Sequence, residues 1–256
     1  MYEQQSSVRS NRRQLCQSPH FWFYVCRGHC CLLIQMDWSS FLLLLAYTLF
    51  VVLVTRVYRL LTRQTRGWNV LPPGTPARTM VVLGSGGHTA EMMRVLRVMP
   101  LDRFDPLLFV VASSDSTSEV QLRNCPVLQP IFAATDSSPP LFLRIPRSRE
   151  VKQSYLSSVF TTLRSLVVST KLIFRHRPHL LLCNGPGTCL PLMVSAFVAK
   201  VLGWCDTHIT FVESFCRVQT LSLCGHLVLP ICDRFVVLWP QLQKKYPSTL
   251  YLGGFV

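Results

Sequence analysis

The chain reads as an α/β protein: a Rossmann-like parallel sheet with helices on both faces, preceded by a single N-terminal transmembrane helix. Three observations predict it. Short runs of continuous apolar character, among them Thr79–Leu83, Leu107–Ala112 and His179–Cys183, alternate with helix-patterned stretches, the pattern of strands buried on both faces. Two of these runs open directly into glycine-containing turns that lead into helices. Ahead of them stands one nearly unbroken apolar run, Phe41–Val54.

The elements follow in order. Residues 1–35 are rich in Ser, Gln and Arg at the start, and their apolar patch Phe21–Val25 is broken by Arg27 and His29. They are read as a disordered extension, with Met36 the expected start of the functional protein. Residues 36–61 are the anchor. With Trp38 and Thr55–Leu61 as flanks, the run reaches the ~17–20 residues a bilayer crossing needs. Trp38 and Tyr58 sit where interfacial aromatics belong, and Arg56, Arg59, Arg63 and Arg66 follow. The positive-inside rule puts that side in the cytosol.

Residues 62–78, with Leu71-Pro-Pro-Gly-Thr-Pro76, are a linker. Residues 79–256 are the cytosolic domain. After the strand 79–83 and its turn, residues 90–99 have helical spacing, with Met92, Met93, Leu96 and Met99 on one face. A polar loop, 113–118, follows the strand 107–112. Residues 127–132 are expected to be a third strand, and a loop from Ser137 runs into a basic cluster. Residues 153–174 form a long helix. Residues 189–202 form an apolar helix too short for a span and carrying Lys200, so it belongs in the core. Residues 208–212, 234–238 and 249–252 complete the sheet.

Bulk composition agrees. The 256 residues suffice for one sizeable domain plus an anchor. Hydrophobic content is 49% and charged content 15%, more apolar than a soluble domain. The formal net charge of +14 favours acidic headgroups or pyrophosphates. Nucleic acid is not expected as a partner, because no recognition signature appears. The 11 cysteines contain no CxxC pair, so reduced, buried thiols are expected and no metal site.

Two turns carry the candidate chemistry. In Gly84-Ser85-Gly86-Gly87-His88-Thr89 a buried strand ends in glycines and a helix begins. Glycines let backbone approach a ligand, and the helix N-terminus offers free N–H groups to an anion. Neither the GxGxxG nor the GxxxxGK[ST] pattern is present. His88 is a candidate general base or pyrophosphate ligand, or a packing residue at the helix start. Asn184-Gly185-Pro186-Gly187-Thr188 repeats the logic after a second strand, with Thr188 able to cap the next helix. In a parallel sheet both turns lie on one edge. Arg144, Arg147 and Arg149 form a basic cluster, either solvated or touching acidic headgroups or a lipid pyrophosphate. Glu213, at a strand end, fits a site carboxylate and fits equally a helix cap or a partner of Arg217.

Taken together and in order, these segments resemble a known family. They are Gly84–Thr89, Arg144–Val151, Leu182–Cys189, Val212–Ser214, Cys216–Val218, Trp239-Pro240 and Tyr251–Gly253. The sequence from about residue 79 onward is similar to the asparagine-linked glycosylation protein 14 family. The resemblance implies one half of a GT-B glycosyltransferase. It implies the membrane-anchoring, acceptor-side subunit of an enzyme that adds the second N-acetylglucosamine to dolichol-pyrophosphate-N-acetylglucosamine. The setting implied is the cytosolic face of the endoplasmic reticulum, with the nuclear envelope as an added location. The implied partner is the soluble donor-binding subunit, asparagine-linked glycosylation protein 13, which takes most of the UDP-N-acetylglucosamine contact; no cofactor is implied. Gly86, Gly87 and His88 would then lie at the cleft, near the acceptor pyrophosphate or hydroxyl, with either His88 or a residue of the partner as the base; Gly84, Ser85, Thr89, Asn184, Gly185, Gly187, Thr188 and Glu213 are the further acceptor-side or phosphate-binding candidates. Leu252, Gly253, Gly254, Phe255 and Val256 would meet the partner. A GT-B site needs two domains across a cleft, and about 175 residues make only one, so activity is not expected from this chain alone. A self-sufficient membrane enzyme acting on lipid pyrophosphates and a purely structural tether stand as alternatives.

Overall fold

The computed structural model describes residues 20–27, 30–62, 74–133, 141–147, 155–185 and 187–253. Arg149, Pro186, Gly254, Phe255, Val256 and most of the expected linker fall outside them. The chain divides into two units, Met1–Arg56 and Val57–Val256.

In the first unit, β1 (His20–Arg27) pairs antiparallel with β2 (Cys30–Asp37). Part of the segment read as a disordered extension is therefore a hairpin. The 25-residue helix α1 (Trp38–Thr62) follows directly and is long and apolar enough to cross a membrane. At 1.5 Å per residue it reaches about 37 Å, more than a ~30 Å hydrocarbon core. None of its residues is buried against protein. Its threonines satisfy themselves locally: Thr48 Oγ1 donates to the Leu44 and Leu45 carbonyls, Thr55 to Val51 and Thr62 to Tyr58. Hydroxyls spent on the helix's own carbonyls suit an apolar medium.

The second unit is built on a seven-stranded, all-parallel sheet. Its strands are β3 (Thr79–Val82), β4 (Leu107–Ala112), β5 (Leu141–Ile145), β6 (Leu180–Asn184), β7 (His208–Val212), β8 (Arg234–Val237) and β9 (Leu250–Tyr251). Their spatial order is β5-β4-β3-β6-β7-β8-β9. The order reverses between β3 and β6, whose register pairs Val81 with Leu182.

Alternation along the strands feeds two cores. On one face Met80, Val82, Leu181, Cys183, Ile209 and Phe211 pack with Ile173 of α5 (Tyr155–His176) and Leu192, Met193 and Ala196 of α6 (Cys189–Leu202). Val228 of α7 (Leu223–Val228) and Leu242 of α8 (Pro240–Lys245) extend that face. On the other face Val81, Leu83, Phe109, Val111 and Leu182 meet Met92 and Leu96 of α2 (Gly87–Val98) and Leu122 of α3 (Ser118–Arg123). Both faces are covered, as expected.

Two local expectations fail. Residues 127–132 are not a strand: Gln129–Ala133 form the short helix α4. Pro130 sits in its first turn, where a missing N–H costs nothing, and Leu128 and Phe132 join the core. The strand that fills the sheet edge is β5 instead, inside the stretch read as a loop. An edge strand needs only one buried face, and Leu141 and Arg144 are exposed, so the continuous apolar signal is missing.

Candidate functional site

The switch point of an open parallel sheet leaves a crevice at the carboxyl ends of the two diverging strands. Both glycine turns lie there. The chain leaves β3 at Leu83 and turns through Gly86, whose φ is +67°. α2 begins at Gly87 with no side chain capping it. Ser85, Gly86 and Gly87 are exposed, and no side chain occupies the N–H groups of this first turn.

Thr89 does not face the crevice, contrary to its expected ligand role. It is fully buried; its hydroxyl donates to the Gly84 carbonyl and lies 2.6 Å from Ser118 Oγ. Ser118 Oγ in turn donates to Asp115 Oδ2 at 2.5 Å. Asp115 also accepts from the backbone N–H groups of Thr117 and Ser118. Burial pushes its carboxyl up, but the hydrogen bonds, led by Ser118, hold it below 3.8. This chain of polar contacts braces the glycine turn from beneath.

His88, in the first turn of α2, meets the second turn. Its Nδ1 lies 3.1 Å from Asn184 Oδ1 and 3.2 Å from Glu91 Oε2. Two acceptors on one nitrogen place the proton on Nδ1. Nε2 makes no hydrogen bond among the described residues, and the side chain is 35% exposed. The Glu91 hydrogen bond raises the His88 pKa above 6.5; burial opposes it, and the Glu91 charge, Asn184 and Glu213 add to it. Burial pushes Glu91 up, yet the hydrogen bonds from His88 and Ser214 leave it below 4.5.

Gly185 permits this arrangement. Its φ is +60°, and a Cβ there would stand 2.5 Å from His88 Nδ1. Asn184 is 1% exposed, and its Nδ2 is buried with no hydrogen-bond partner among the described residues. A buried amide donor left unpaired costs about 1–3 kcal/mol. Thr188 lies in helical conformation and makes no capping bond, unlike the expectation; Gly187 is exposed beside it.

Glu91 is the residue sequence reasoning missed. Its other oxygen accepts from Ser214 Oγ at 2.9 Å and from the Phe215 N–H at 3.2 Å. Phe215 is held by Trp239, whose Nε1 donates to its carbonyl at 2.7 Å. The available signal was spacing: residues three apart share a helix face, so Glu91 had to lie beside His88. Glu91, Arg94, Val95, Asn184, Val212, Phe215 and Leu238 line a small, open pocket.

Glu213 is not in the crevice. It is fully buried, and its carboxylate accepts from the N–H of Ser214 and from both the N–H and Oγ of Ser222. Ser222 caps α7 through the Gly225 N–H. Glu213 is therefore not the cap itself: it braces Ser222, the residue that caps α7. Arg144 pairs with Glu119 Oε2 at 3.1 Å on the exposed side of β5. Leu252 extends the sheet edge, its N–H bonding the Val237 carbonyl, and Gly253 follows, exposed.

Fold and site together define a class: an open, Rossmann-ordered α/β domain with a histidine–carboxylate pair and an uncapped helix N-terminus at its switch point. Comparison with known proteins makes the class particular. The family described as oligosaccharide biosynthesis protein Alg14 like matches residues 79–255, and the chain belongs to it. It is 45% identical over 197 residues to the UDP-N-acetylglucosamine transferase subunit ALG14 of Rattus norvegicus, covering 75% of this chain and 91% of that one. With the subunit of the same name from Yarrowia lipolytica it shares 41% over 216 residues, covering 84% and 98%. Among solved structures, MurG of Acinetobacter baumannii superposes with a TM-score of 0.46 at 11% identity, over 64% of this chain and 42% of that one.

Proposed function

We propose that this chain is the membrane-anchoring, acceptor-side subunit of a UDP-N-acetylglucosamine transferase. In this reading it adds the second N-acetylglucosamine to dolichol-pyrophosphate-N-acetylglucosamine together with a soluble donor-binding subunit, at the cytosolic face of the endoplasmic reticulum. The observation that carries the reading is the match over the whole sheet domain to relatives named as subunits of that transferase. The site adds chemistry that fits. The α2 N-terminus suits a pyrophosphate, the Asn184 amide suits a sugar or phosphate oxygen, and Nε2 of His88 suits a hydroxyl proton. Leu252 and Gly253, on the sheet edge, suit a second protein, with Gly254–Val256 beyond them. α1 suits the anchor, and the basic residues after Tyr58 suit a cytosolic side. On α5 the exposed Val159, Phe160, Leu163 and Val167, beside Arg164, suit a membrane-facing surface, as do Arg144 and Arg147.

The test is transfer from UDP-N-acetylglucosamine to a phytanyl- or dolichol-pyrophosphate-N-acetylglucosamine acceptor, with this chain, the soluble partner, or both. Activity is expected only with both, and His88→Ala in the pair should lower it by roughly 10²-fold or more. Activity of this chain alone would favour a self-sufficient enzyme. Full activity of the His88→Ala pair would favour a structural tether.

A further inference from the structure

The carboxylate of Glu91 is more than a neighbour of His88. One oxygen holds the His88 Nδ1–H at 3.2 Å. The other is tied at 2.9 Å and 3.2 Å to Ser214 and Phe215, on the loop after β7. The carboxylate is thus fixed at both ends and is not free to rotate away. Asn184 Oδ1 shares the same Nδ1–H, and Gly185 leaves the space that the ring fills. Both hydrogen bonds to the ring fall on Nδ1.

We propose that Glu91 is a positioning residue for the transfer: it holds the His88 imidazole through Nδ1–H so that Nε2 is the atom left to take the acceptor's proton. This rests on the reading above, in which His88 is the base. In the step, the acceptor hydroxyl oxygen forms a bond to the anomeric carbon of the donor sugar. The bond from that carbon to the donor phosphate oxygen breaks, and its electron pair leaves with UDP. The hydroxyl proton passes to Nε2. The resulting imidazolium keeps its second N–H on Glu91, whose negative charge stabilises it. The ionisable groups around the ring are Glu91 on its own helix and Glu213 at the end of β7, with Arg94 lining the pocket beside Glu91.

The experiment uses the full chain with its soluble partner in membranes, at saturating donor, across pH. Glu91→Gln is expected to lower kcat about 10-fold or more with the donor KM unchanged. It should also move the acidic limb of the pH–rate profile to lower pH, because the anion that favours the imidazolium is gone. Asp102→Asn, which removes a carboxylate from the turn after α2, should leave that limb in place. An unmoved limb and unchanged kcat in Glu91→Gln, beside an inactive His88→Ala, would overturn the role of Glu91 and leave His88 as the base. A fully active His88→Ala would overturn the base itself. A measurement without substitution completes the test: the ¹⁵N imidazole spectrum of the native pair should show His88 protonated at Nδ1 near neutral pH. Protonation at Nε2 alone would overturn the proposal even if Glu91→Gln fails to fold.

Discussion

Gly185 and His88 occupy the same small volume, and only the absence of a side chain on the first lets the second sit where it does. Gly185→Ala would place a methyl carbon in contact with the ring at a φ of +60°. The backbone cost alone is about 1–3 kcal/mol. The ring would be displaced from Asn184, so transfer by the reconstituted pair should fall towards the level of His88→Ala. Gly187→Ala, where a Cβ meets nothing within 4 Å, should leave unfolding free energy within about 0.5 kcal/mol. The His88–Glu91 pair also sets a pH window for stability. The raised His88 pKa gives a contribution that is full below 6.5 and fades as pH rises through the raised value. The lowered Glu91 pKa gives one that is full above 4.5 and fades as pH falls through the lowered value. The pair therefore contributes most between 4.5 and 6.5. Melting temperature followed from below that interval to above it should show a maximum within it in the native chain, and the maximum should be flattened in Glu91→Gln.

At the scale of elements, α6 shows how an apolar helix is kept out of the membrane. Its Lys200 is 6% exposed, and its Nζ lies 2.5 Å from Asp233 Oδ2, just before β8. The same oxygen accepts the Ile209 N–H at 2.8 Å, so one carboxylate joins α6, β7 and β8. Removing one partner of a buried pair typically costs about 3–5 kcal/mol, and Asp233→Ala should lose an amount of that order in denaturant unfolding. The sequence placed α6 in the core correctly, but the partner of Lys200 lies 33 residues away, beyond what helical spacing can reveal. The errors at α4 and β5 have a common cause. Val127–Phe132 carries strand-like residues, yet Pro130 and the need to bury Leu128 and Phe132 together select a turn of helix. Leu141–Ile145 carries a charge and still becomes a strand, because β4 offers it a free edge.

For the whole molecule, the consequential features are the long apolar helix α1 and the sheet domain that follows it in the chain. If α1 spans the bilayer, alkaline carbonate should leave the full chain in the membrane pellet, while a chain lacking residues 38–62 should move to the supernatant. Release of the full chain would rule out a span. With the seven strands in one parallel sheet, the two glycine turns necessarily share an edge, but only the order β4-β3-β6 makes them neighbours.

By itself the sequence determined what depends on local composition. The long apolar helix α1 follows from an apolar run long enough to cross a bilayer. The buried strands follow from continuous apolar stretches, the turns from glycine and proline, and the family from motifs in fixed order. Only the tertiary structure decided which residues meet. His88 reaches Asn184 across 96 positions, and Glu91 reaches Ser214 across 123. Such contacts are set by strand order and by the packing of α2 on the sheet, and periodicity carries no information about either. The same packing turned Thr89 and Glu213 inward as braces, because a buried polar group takes whichever partner satisfies its hydrogen bonds.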